Sequence, residues 1–163
     1  IDRFGDLGYF VIPANYYKAE SDFYTDNEDI ALNHYAYIVK QGANEFTEKS
    51  LIKLSSTYFY RKMYTLANDY YAQLEPLASS KSTYINAIKG QMNGFYSLKE
   101  YDKAKKKAIQ LLPIKDVPKE DLVEAHMAFR KIQLLSKNLN SANYHFDYVI
   151  ENSRNINTAE ARF

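Results

Sequence analysis

The chain has 163 residues, 46% hydrophobic and 25% charged, with a formal net charge of +1, proportions of a globular chain with no apolar run long enough for a membrane span. Five glycines and four prolines argue against β-barrels, β-sandwiches and Gly-rich phosphate loops and lean towards helix, and the absence of cysteine excludes thiolate catalysis, disulfides and Cys-ligated zinc without assigning a compartment. The near-neutral total conceals an asymmetry: residues 1–80 carry seven Lys/Arg against eleven Asp/Glu, and residues 81–163 fourteen against nine, an acidic and a basic end that can steer a partner.

In chain order, the stretch 12–45 carries Ala31 with Tyr35 four and Ile38 seven residues later. The stretch 48–81 carries Leu51, Leu54 and Tyr58, then Tyr64, Ala67, Tyr71 and Leu74. The stretch 85–118 repeats the same frame with Ile88, Gln91 and Phe95, then Tyr101, Ala104, Ala108 and Leu111. The stretch 123–157 offers Gln133, Leu139, Ala142, Phe146 and Val149. The four alanines are 36, 37 and 38 residues apart. Within each stretch, i, i+4 and i+7 share one face of a helix. Short polar breaks such as Arg61-Lys62 and Lys99-Glu100 separate the two helical stripes. Each copy is therefore expected to be an antiparallel helix pair, with its alanine where the two backbones come closest. Pro76 and Pro113 fall where the second helix should stop, and Pro118 suits the first turn of the next helix, with acidic residues near its positive end. Thr158–Phe163 reads as a helix barely begun, the start of a fifth copy, so the chain is expected to be a piece of a longer protein.

This pattern resembles the tetratricopeptide repeat, a helix–turn–helix unit of about 34 residues with a Tyr…Ala-x3-Phe core. The copies at 48–81 and 85–118 match well. The copy at 123–157 has Gln133 at the first aromatic position, and the copy at 12–45 has Asp22 and Glu28 at both. Family copies carry a small residue where this chain has Ala19, Ser55, Met92 and Arg130, and the last two depart from that. The resemblance implies an all-α superhelical solenoid of about four antiparallel helix pairs, a single domain spanning 1–163, with first helices lining a concave groove. Carried over by position, the groove residues are Tyr16, Glu20, Phe23 and Tyr24; Ile52, Ser56, Phe59 and Tyr60; Lys89, Asn93 and Tyr96; and Met127, Lys131 and Leu134. Such a face suits an extended or helical peptide. Tyrosine is unusually frequent at 16 residues. Tyr35, Tyr58, Tyr64, Tyr71 and Tyr101 fall at packing positions, whereas Tyr16, Tyr24, Tyr60 and Tyr96 map to the groove.

Lys89 and Asn93 stand where chaperone-binding members of the family place residues that hold a terminal carboxylate, but Ala128 stands where a second Asn is wanted. The competing reading is two solvated polar residues one helical turn apart. His34, His126 and His145 are scattered, with no metal-ligand spacing. Lys103, Lys105, Lys106 and Lys107 are expected to point outward from the second helix of their copy. Asp26, Glu28 and Asp29 gather at a helix start, where the dipole favours them and Asn27 can serve as cap. No calcium loop, nucleophile elbow or phosphate loop is present, and no cofactor is called for. The expected function is a non-catalytic protein–protein interaction module that binds a protein or peptide partner, without membrane insertion, with self-association through apolar repeat ends. The rivals are a structural spacer and an RNA-reading helical repeat. The latter is opposed by a Lys:Arg ratio of sixteen to five and by the lack of a repeated polar reader.

Overall fold

Ala31, Ala67 and Ala104 have no exposed surface at all, because each sits where two helices of a pair meet. The computed structural model describes residues 5–115 and 117–135, and every regular element among them is helical. These are α1 (Gly5–Tyr24), α2 (Glu28–Lys40), α3 (Thr47–Tyr60), α4 (Tyr64–Leu74) with a 3-10 turn at Glu75–Leu77, α5 (Lys81–Ser97), α6 (Tyr101–Leu111) and α7 (Lys119–Leu135). Three-residue turns fold α2 back on α1, α4 on α3 and α6 on α5, and these pairs pack together. The second helix expected for the fourth copy, with Ala142, Phe146 and Val149, and the fifth copy expected to start at 158–163 lie outside the described residues.

The chain divides between Ser79 and Ser80 into two compact units. In the first, Ala19, Ala31, Leu32, Tyr35, Ile38, Phe46 and Leu54 form one buried cluster, so α2 packs on α1 and also on α3. In the second, Ile85, Ile88, Met92, Ala108, Leu111 and Phe129 belong to one cluster, with α6 packed on both α5 and α7. Met92, large where the repeat prefers a small residue, is wholly buried. An unbranched thioether with three rotatable bonds fills such a gap readily. The first unit solves its own departure differently. Asp22, at an aromatic position, is buried, with its carboxylate on Lys18 Nζ and 3.8 Å from His34 Nε2.

The turn between paired helices has the same closure in three copies. Asp26, Lys62 and Lys99, 36 and 37 residues apart, all adopt positive φ, at 58°, 60° and 62°. The next N–H in each case, of Asn27, Met63 and Glu100, donates to the carbonyl five residues back, at 3.0, 2.9 and 2.9 Å. This is the Schellman closure of a helix C-terminus, usually made with glycine. None of the three residues is glycine, so each carries the steric cost of the left-handed region. Helix starts also differ from expectation. Asn27 makes no side-chain cap on α2; its amide donates to Thr25 Oγ1. The acidic side chains there are held instead by Arg61, just beyond the end of α3, which pairs with Glu28 and with Asp29. α1 begins ahead of the repeat frame and contains Pro13, which removes one ladder donor; the nearby Asn15 amide donates to the Val11 carbonyl at 2.8 Å.

Candidate binding face of the first helices

In the first unit, α1 and α3 supply the expected face. Tyr16 is half-buried, stacked on Phe46 at 4.6 Å between centroids and edge-on to Tyr35. Glu20 accepts a hydrogen bond from the Tyr35 hydroxyl. Burial together with that carboxylate pushes the Tyr35 hydroxyl far above the usual tyrosine range. Phe23 is half-buried against the core cluster. Ser56 is exposed and donates to the carbonyl of Ile52, one turn earlier, at 2.7 Å; Ile52 itself is exposed. Phe59 packs edge-on against Tyr64 and Tyr71. Tyr24 and Tyr60, the last residues of α1 and α3, are 79% and 88% exposed.

The corresponding face of the second unit is closed by its own side chains. Lys89 pairs with Asp121 and, at 3.2 Å, with Glu124 of α7. Asn93 Nδ2 donates to the same Glu124 at 2.5 Å. These residues are therefore not two freely solvated side chains: two acids of α7 pair with them. The two acids hold the Lys89 ammonium above its usual range, although burial alone would lower it. Tyr96 is half-buried, edge-on to Tyr101 at 5.7 Å. Met127 is only 6% exposed and belongs to the interior rather than to a groove. Lys131 and Leu134 are exposed.

Other candidates resolve simply. Lys106 points to solvent, but Lys103 pairs with Glu100 and lies over the Phe95 ring, and Lys105 lies over Phe129. The lysine run is thus partly laid down on aromatic surface rather than wholly outward. His126 is buried and His34 half-buried, hydrogen-bonded through Nδ1 to Asn15 Oδ1 at 2.7 Å. Among the described residues no three His, Asp or Glu side chains gather as metal ligands, and no helix is long and apolar enough to cross a membrane. Sequence reasoning missed Lys53, whose ammonium reaches across from α3 to the α1 rings. Its signal, a lysine one position from the predicted face, is indistinguishable from a solvated residue until α1 and α3 are placed side by side.

The architecture is that of solved tetratricopeptide-repeat structures. A tetratricopeptide repeat protein from Parabacteroides merdae superposes with a TM-score of 0.71 at 16% identity, over 93% of this chain and 57% of that one. The tetratricopeptide-repeat domain of P58(IPK) superposes with a TM-score of 0.58 at 14% identity, over 92% of this chain and 44% of that one. The chain therefore spans about half the length of these structures. No protein-family model matches it, and no curated protein does. At these identities the likeness is one of fold: paired helices repeated along the chain in the tetratricopeptide manner.

Proposed function

We propose that the chain is a non-catalytic protein-interaction module that binds a peptide or protein segment along its first helices, chiefly on the α1–α3 face. The supporting observation is the pair Tyr24 and Tyr60. They stand one repeat apart at equivalent helix ends, and both present nearly a whole tyrosine to solvent. Among the described residues Tyr60 makes no ring or hydrogen-bond contact, and it is 88% exposed. Large aromatic side chains left open, with Ile52 two turns before Tyr60 on α3 also exposed, are what a partner covers, since tyrosine offers much contact area at little rotamer cost and keeps a hydroxyl for bonding. Neither ring supports the core, so their removal separates binding from folding. A displayed random peptide library selected on the full chain is expected to enrich sequences that bind it and fail to bind Tyr24→Ala/Tyr60→Ala, whose helicity and melting match the parent. One further observation favours the spacer reading for the second unit: there Lys89, Asn93, Asp121 and Glu124 satisfy one another. Should no peptide be enriched, or should enriched peptides bind the double variant equally well, the spacer reading extends to the whole chain.

A further inference from the structure

Lys53 already shows what kind of group the first unit's face accepts. Its ammonium lies 4.5 Å from the centroid of the Phe23 ring and 5.9 Å from that of Tyr24. The nearest carboxylate oxygen, on Glu20, is 3.9 Å away, beyond hydrogen-bond reach. The side chain is 29% exposed, and no acceptor among the described residues satisfies its three donors. Lys89 in the other unit is the contrast, gripped by two carboxylates. Lys49, one turn before Lys53, likewise lies 5.8 Å from the Tyr16 ring. The aromatic edge of α1 is thus a surface on which cations rest, through the negative face of each ring. Glu20 is fixed beside it by the Tyr35 hydroxyl. Asp26, two residues beyond Tyr24, is exposed.

We propose that Glu20, Phe23 and Tyr24 form a subsite for a lysine or arginine side chain of a basic partner segment, which displaces Lys53, the internal cation now resting there. The proposal deepens the binding reading above and rests on it. Two observations select a cation over an anion. A partner carboxylate aimed at Lys53 would have to settle beside Glu20. The residues up to Ser79 also carry eleven acids against seven cations, a field that draws basic segments in and repels acidic ones. Displacement costs Lys53 its 3.9 Å ion pair with Glu20 and its two ring contacts but no hydrogen bond, and it regains its hydration. An arginine in its place would gain more, stacking on the rings while its planar fork reaches the Glu20 carboxylate. Exposed Tyr60 and Ile52 then cover the apolar residues flanking that cation.

The test uses the full chain and two twelve-residue probes, one alternating lysine with leucine and one alternating glutamate with leucine, read by fluorescence anisotropy at physiological salt. The basic probe is expected to bind at least tenfold more tightly. Glu20→Gln, which keeps an acceptor for Tyr35, is expected to weaken it about tenfold, and Lys53→Met to strengthen it severalfold by vacating the subsite. Asp69→Asn, an equal charge change at an exposed site on the second helix, should shift it less than twofold. Tighter binding of the acidic probe, or weakening by Lys53→Met, overturns the cation subsite. So does an Asp69→Asn effect equal to that of Glu20→Gln. If the acidic probe binds and is lost on Tyr60→Ala, the binding face stands without this subsite. Binding of neither probe overturns the cation subsite, while the binding face stands or falls on the peptide selection.

Discussion

Replacing Lys89 by methionine keeps an unbranched side chain one atom shorter and removes its charge, and the outcome measures how firmly α5 is tied to α7. In the structure the Lys89 side chain is 23% exposed, and its ammonium bridges the Asp121 side chain, 15% exposed, to that of Glu124, 41% exposed. A fully solvated pair would contribute about 0.2–1 kcal/mol, whereas deleting one partner of a fully buried pair costs about 3–5 kcal/mol. This bridge lies between those limits, with one near-buried and one half-exposed acid, so a loss of about 2 kcal/mol is expected. Urea unfolding followed by far-ultraviolet circular dichroism reads it directly. Asp121→Asn in the same background should then cost little more, because the acid left uncompensated has itself been removed. The coupling energy of that double-mutant cycle should be about 1–2 kcal/mol. A single-mutant loss under 0.5 kcal/mol, with no coupling to Asp121, would return Lys89 to the surface and refute the closed face of the second unit.

Two further outcomes follow from the geometry. Lys62→Gly and Lys99→Gly each relieve a left-handed residue, a steric cost of about 1–2 kcal/mol, at a backbone-entropy cost of about 0.5–1 kcal/mol. Each should therefore raise stability by up to about 1.5 kcal/mol in thermal melts, and a fall would deny the shared turn closure. Alkaline titration should destabilise the fold. The hydroxyls of Tyr35, Tyr70 and Tyr16 are all pushed above the usual tyrosine range by burial, with Glu20 adding to the shift at Tyr35 and Tyr16, so above about pH 10 the unfolded chain loses those protons first. The Lys89 ammonium, also held above its usual range, acts in the same sense: its stabilisation is complete below its unfolded value and fades as pH passes the folded one. Melting temperature should hold below pH 10 and then decline, by about 1.4 kcal/mol of stability per pH unit for each group titrating in the unfolded chain alone; Tyr35→Phe should shallow that decline.

The repeat was legible in one dimension because its cause is local. A helix pair needs a small residue at its crossing and apolar residues at i+4 and i+7, and Ala67 with Tyr71 and Leu74 writes that requirement into consecutive turns of one helix. Proline and polar breaks mark helix ends for the same local reason. The Schellman turns were not legible, because Lys62 and Lys99 are ordinary residues forced into left-handed backbone by the return of the next helix. The state of the candidate face was equally hidden. Its charged contacts join residues about one repeat apart, Lys53 with Glu20 and Lys89 with Asp121, and the side chains that meet depend on the register at which neighbouring helices lie. The sequence by itself therefore determined that the chain builds paired helices and which of their stripes are apolar. Only the tertiary structure decided that Lys89 and Asn93 are occupied from within, that Met127 is interior, and that Lys53 rests on open aromatic surface, because side-chain charge finds its partner across helices while periodicity is set along them.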